Sequence, residues 1–298
     1  MLKRQNCAAA LLLPLLGGLF CGTKMMIGFA LLQRGVELDP SNFGKDQLDE
    51  LVASGQFIGT LKYYNGENNN QEADYATSTR KERSKRIEGI KGWTFVFDKS
   101  NCFQNELNKL DNSDWYSIVP ILEDGSGVFY VKSNGKLTGF DAKLFVGIYD
   151  IPLTADVTGA NVQVDLTPDG SSKWQSSADV FAPDEFRFDE INPIAGLRIE
   201  LDPVVAGATT LTASVTGLCS GNPIVGLTDL NAVKISKNGI LSAPTAIAYN
   251  PNTRKYSFTT TATEAGQEIV VLTSTDGNPI YVKDSNYYSG QSQTLIVV

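Results

Sequence analysis

The chain contains no histidine. That absence removes the commonest general base, the commonest metal ligand and every Ser-His or Cys-His nucleophile arrangement. Cysteine is scarce as well: Cys7, Cys21, Cys102 and Cys219 form no CxxC pair and no zinc-like spacing. They are therefore expected to be free, buried small hydrophobes with no metal or disulfide role. Basic excess is missing too. With 25 Lys and Arg against 33 Asp and Glu, the net charge of −8 argues against a protein that wraps nucleic acid, which needs clustered cations to release counterions. An acidic surface repels a polyanion and leaves DNA free to slide past. No apolar run reaches the about 18 residues of a membrane-spanning helix. The run at 8–20 stops short, and extending it to Leu32 takes in Lys24. No period of about 20–50 residues recurs, which excludes solenoids and propellers. Gly17-Gly18 and Gly125-Ser126-Gly127 match neither GxGxxG nor a P-loop, so no phosphate cradle is present.

The amino terminus allows more than one reading. Lys3 and Arg4 ahead of the 8–20 run have the form of a signal peptide's charged and apolar regions. No Ala-x-Ala site follows, however, and Gly18, Leu19 and Phe20 precede Cys21 where a lipoprotein signal wants a small residue directly before the cysteine. Leu11, Leu12, Leu13, Leu15, Leu16, Leu19 and Phe20 would each gain about 1.5–3 kcal/mol on burial. The run is expected to pack within an assembly. An export signal or lipid anchor is the alternative, and an internal core element is the third.

What is there reads as mainly β. At 298 residues, with 42% hydrophobic and 19% charged residues, the chain is long enough for two domains. Its 27 Gly and 12 Pro punctuate Thr-, Val- and Ser-rich runs, the pattern of short strands joined by turns. Residues 1–56 read as an N-terminal extension: the apolar run, a strand within 25–38, and a short helix capped by Ser41 or Asn42 with Leu48, Leu51 and Val52 on one face. Residues 57–202 read as a β-sandwich or half-barrel with one packed helix, capped by Ser100 and striped by Phe103, Leu107 and Leu110. Its strands are expected at 57–64, closing on the turn signal Asn65-Gly66, and at 87–98, 115–122, 128–132, 144–153, 161–166 and 194–201. Turns are expected at Asp124-Gly125 and Asn134-Gly135, and the pattern weakens over 168–192. Residues 203–298 carry about seven short alternating segments, the arithmetic of an immunoglobulin-like sandwich.

Between the first two of those strands lies a polar, charged arm, 65–86. Loops that long inside a compact domain are usually functional or disordered. Ordering it costs roughly 20–40 kcal/mol of backbone entropy, and it has almost no apolar side chains to offset that. A free monomer is expected to leave it floppy, and order is expected only against another copy or another protein. Arg80, Lys81, Arg83, Lys85, Arg86 and Lys91 form the basic cluster, broken by Glu82 and Glu88. Together with Asp74 and Tyr75, the arm's cations are candidate inter-subunit contacts, their counterparts on a neighbouring copy being Asp184, Glu185, Asp189 and Glu190. A solvated loop is the plain alternative. The carboxylate pairs Asp184/Glu185 and Asp189/Glu190 point to opposite faces if they lie on a strand, so neither presents two groups to one substrate. No catalytic, cofactor-binding or metal-binding residue is nominated.

The order strand, long arm, strand, helix, strands resembles the tail tube proteins of long-tailed phages and their relatives in contractile injection machines. The residues that carry the resemblance are 57–64; Tyr75-Ala76-Thr77-Ser78-Thr79-Arg80-Lys81-Glu82 in the arm; 87–97 with Gly89 and Gly92; and the helix over 101–110. The likeness covers roughly 57–166 and rests on element order. It implies six copies closing into a ring by joining their sheets into an inner barrel, with the arm reaching the adjacent ring and an immunoglobulin-like domain outside. It also implies a virion location, assembly in host cytoplasm, other tail proteins as partners, DNA passing through without specific binding, and no cofactor. The leucine-rich amino terminus departs from that family. A head–tail joining or capsid decoration protein, or an exported bacterial surface protein or lipoprotein with an immunoglobulin-like module, are the alternatives.

Overall fold

The computed structural model describes residues 1–4, 24–77, 79, 81, 83–87, 89–149, 159–274, 278–283 and 286–298, with backbone alone at 83, 86 and 87. The 8–20 run, Cys7, Cys21, Arg80 and the 150–153 end of one expected strand lie outside them. The described chain is mainly β, with three α-helices, and divides into two compact units, Met1–Leu48 with Gln56–Ile191 and Asp49–Gly55 with Asn192–Val298.

The first unit contains β1 (Leu2–Arg4), β2 (Met26–Gln33), the start of α1 (Lys45–Ala53), β3 (Phe57–Lys62), β4 (Asn65–Asn68), β5 (Asp74–Thr77), β6 (Arg83–Ile87), β7 (Gly92–Phe97) and α2 (Asn101–Leu107). It continues with β8 (Tyr116–Leu122), β9 (Gly127–Val131), β10 (Leu137–Thr138), β11 (Phe140–Val146), β12 (Ala160–Leu166), α3 (Pro168–Ser177) and β13 (Ala178–Pro183). One sheet runs β1-β13-β9-β8-β11-β12-β7-β4, with β2 also beside β8 and β3 beside β2. The sheet curls into a half-barrel. Through Tyr63 and Tyr64, β3 passes into β4, so one stretch of chain borders β2 on one flank and β7 on the other. The curl brings Phe29 of β2 against Phe95 of β7, ring centroids 4.9 Å apart, and Tyr63 stacks on Phe95 at 4.8 Å. Alternation drives this packing: Ala160, Val162, Val164 and Leu166 of β12 point inward and Asn161, Gln163 and Asp165 outward.

Local chemistry explains where several elements differ from the sequence reading. Asn65-Gly66 is no turn; it lies within β4, opposite Val96 and Phe95. Neither Ser41 nor Asn42 caps α1. Asp39 takes the Ser41 N–H at 3.0 Å, and Gln47 folds back to accept the Gly44 N–H at 3.0 Å. Ser100 does precede α2, but its side chain makes no capping bond. Buried Gln104 holds α2 instead, donating to the Gly147 and Asn161 carbonyls at 2.5 and 3.2 Å and accepting the Asn161 N–H at 2.8 Å. A second helix packs on the half-barrel where the pattern weakened: Thr167 caps α3 by accepting the Gly170 N–H at 3.0 Å, with Pro168 next. Its one large apolar side chain, Trp174, meets Trp93 at 5.5 Å and Phe140 at 4.9 Å.

The second unit has two sheets. One runs β18 (Ala246–Asn250), β19 (Lys255–Thr259), β15 (Thr210–Gly217), β14 (Ala195–Leu201), β22 (Asn286–Ser289), β21 (Ile280–Lys283). The other runs β17 (Ile240–Ser242), β16 (Val233–Lys237), β20 (Glu268–Thr273), β23 (Leu295–Ile296). They enclose a core that includes Leu211, Val215, Ile235, Tyr256, Phe258 and Val271. The boundary expected at 202/203 is corrected to 191/192, because β14 pairs along its length with β15 and belongs to this sandwich. Residues 24–48 likewise are no extension, since β2 lies between β3 and β8.

The cysteine expectation is overturned. Cys102 in α2 and Cys219 after β15 are both disulfide-bonded, and no described cysteine is free.

Candidate functional site: the arm and the acidic stretch

The arm is a β-hairpin. β5 and β6 pair only with each other among the described strands, in the register Tyr75↔Lys85, Ala76↔Ser84, Thr77↔Arg83, with a bulge beside Asp74. Beneath the hairpin, the Asn69 N–H donates to the Gly92 carbonyl at 2.9 Å and the Gln71 N–H to the Ile90 carbonyl at 2.8 Å. The arm thus continues the β4–β7 ladder outward from the sheet. The sequence reading has a loop here; the described backbone pairs as a hairpin, a regularity that side-chain polarity does not reveal. Tyr75 is 53% exposed, and Thr77, Ser84 and Lys85 are exposed. Lys81 takes the left-handed conformation at the tip, φ 63°. Arg83 and Arg86 lie on β6, and Arg80 falls outside the described residues. The outer edge of β4 and β5 has no described strand beside it.

The acidic stretch is not a strand but a bend leading into a 3-10 turn, Phe188–Glu190, and it is pinned from within. Phe188 is fully buried against Phe57 and Phe129, and its carbonyl accepts the Thr60 hydroxyl at 2.5 Å. Asp184 pairs with Lys3 at 3.0 Å, and Glu185 accepts the Lys45 backbone N–H at 3.4 Å. Asp189 takes Arg187 at 2.9 Å with Lys62 at 3.9 Å, and Glu190 lies 3.6 Å from Arg187. Hydrogen bonding to Asp189, then its charge, raises the Arg187 pKa. All four carboxylates therefore have partners in their own chain, none of them from the arm among the described side chains. The stretch is thus pinned to its own body, where the sequence reading expected counterparts on a neighbouring copy's arm. The signal that could have shown this was Phe186 and Phe188, apolar residues spaced to anchor the charged stretch.

Lys91 departs from the basic cluster as well. It sits at the arm's base, its N–H bonded to Ser171 Oγ at 3.0 Å and its ammonium 5.3 Å from the Trp93 ring centre and 5.7 Å from that of Trp174. Burial lowers its pKa.

Among the described residues no cluster of His, Cys, Asp or Glu could hold a metal ion, and no helix is long and apolar enough to cross a membrane. A cleft in the second unit sets Leu197, Leu201 and Leu295 beside Arg198 and Glu200, whose charges pair at 3.5 Å with no nucleophile or base converging on them. Fold and surface together define a mainly β protein whose most distinctive exposed feature is a self-paired hairpin extending an open sheet edge. No protein-family model, curated protein or solved structure matches the chain.

Proposed function

We propose that the chain is a structural virion protein that self-assembles into stacked rings forming the tail tube of a long-tailed phage. One observation carries the reading: the hairpin β5–β6 prolongs an open sheet edge and, among the described strands, pairs only with itself. An isolated two-stranded hairpin is marginally stable in water, and an unpaired strand edge is a template for strand addition. Both costs fall if the arm and edge seat on sister copies, and a heterologous contact of that kind generates rings and stacks. The net charge of −8 suits a conduit along which DNA moves without binding. Six copies per ring follows from the family resemblance. Electron microscopy and sedimentation of the purified chain are expected to reveal rings or tubes. A monomer at every salt concentration tried would overturn the proposal.

A second reading has its own support. Disulfide bonds at Cys102 and Cys219 form and persist in oxidising compartments, which favours an exported surface protein over one assembled in host cytoplasm. Mass spectrometry of the mature chain separates the two. Cleavage within the leucine-rich run or an acylated Cys21 supports export, and an intact Met1 supports the virion protein.

A further inference from the structure

Two lysines flank the α3 side of the half-barrel, and they are compensated differently. Lys173 lies 2.5 Å from Asp169 and 3.5 Å from Asp141, with its ammonium 5.2 Å from the Tyr130 ring. Burial alone would depress its pKa, but the bonds and charges of those carboxylates outweigh that and raise it. Lys91 is half-buried and has two indole faces but no carboxylate within ion-pair distance among the described residues. Its burial is uncompensated, so its pKa is lowered. Cation–π contact offsets part of the cost of desolvating an ammonium, and a carboxylate offsets more.

The surroundings hold Lys91 in place. Its N–H is fixed by Ser171, its carbonyl accepts the Leu166 N–H at 2.8 Å, and Trp93 and Trp174 meet edge to face beneath the side chain. A preorganised cation on rigid aromatic walls loses little entropy when a counter-ion arrives. Gly92 follows directly, and from there the β4–β7 ladder runs out into the arm, so the ammonium stands where the arm leaves the body.

We propose that Lys91 is the body-side anchor of the assembly contact, receiving a carboxylate from a second copy of this chain beside the Trp93 and Trp174 rings. The inference rests on the self-assembly reading and names a residue within it. Charge complementarity identifies the occupant: copies with 33 acidic against 25 basic residues offer carboxylates in excess, and a half-buried cation lacking one is the complementary site.

The test uses the full chain as wild type, Lys91→Met, which keeps the stem between the indoles, and Lys91→Arg, which keeps the charge. Calorimetry is expected to give the Met variant a melting temperature equal to or above wild type, since a desolvated charge is removed. Sedimentation is expected to show it needing about tenfold more protein to assemble, as for loss of one desolvated charge pair; the Arg variant should assemble near the wild-type concentration. Reductive methylation followed by mass spectrometry is expected to find Lys91 protected in assemblies and reactive in dispersed chains. Assembly of the Met variant at the wild-type concentration, or equal methylation of Lys91 in both states, would sink the anchor while leaving self-assembly standing. A wild type that never assembles would remove both.

Discussion

Single side chains carry more of this fold than their sequence context suggests. Gln104, an amide in a helix whose apolar stripe is Phe103, Leu107 and Leu110, is 2% exposed and satisfies backbone groups at the ends of two strands. Replacing it with Leu strands the Asn161 N–H and Gly147 carbonyl, each costly when buried. Urea unfolding of Gln104→Leu is therefore expected to give a loss of about 2–4 kcal/mol. Asp202 illustrates a pH effect. Bonds from Lys255 at 2.6 Å and Thr212 at 2.5 Å hold its pKa below the ordinary carboxylate value. A carboxyl whose folded pKa is depressed stabilises the fold above its unfolded pKa, and that contribution is lost as pH falls through the folded pKa. Stability is thus expected to decline on acidification below about pH 4, and Asp202→Asn should flatten that decline in pH-dependent thermal melts. A wild-type slope in the variant would show that Lys255 and Thr212 do not act on the ionised form. Trp174 was hidden for a related reason: it is the one large apolar side chain of a polar segment, where no period marks it.

Strands with one buried face were the most legible elements. Trp93, Phe95 and Phe97 alternate with Thr94 and Val96, and β7 follows. Strands β12, β15, β16 and β20 alternate in the same way. Elements defined by what they touch were not legible. α3 has an apolar content of one tryptophan, β13 is read only through its pairing with β9 and β1, and β17 is too short to show a period. The arm is the sharpest case, because its polar composition says nothing of backbone pairing. At its base a β-carbon on Gly89 would collide with the Gln71 carbonyl. Gly89→Ala is expected to splay the arm, leaving the melting temperature within about 2 °C of wild type while hindering assembly seen by sedimentation. Deleting 74–86 is expected to abolish assembly with the body still folded; an unfolded deletion mutant would mean that the hairpin supports the half-barrel rather than its neighbours.

For the molecule as a whole, the disulfides bear on where it folds. Cys102 lies in the first unit and Cys219 in the second, and both are disulfide-bonded. Calorimetry with and without reductant is expected to show destabilisation of roughly 2–4 kcal/mol per bridge; unchanged transitions would make the bridges incidental. The mainly β character, the two-part division and the absence of a histidine-based site all follow from composition and periodicity, because alternation and residue inventory are local properties of the chain. The boundary at 191/192, the disulfide state, the self-pairing of the arm and the pairing of Asp184, Asp189 and Glu190 with cations of their own chain do not. Each depends on which distant segment arrives alongside, β15 beside β14, Ile90 beside Gln71, Lys3 beside Asp184, and such meetings between remote stretches are set by packing of the whole, not by any local pattern.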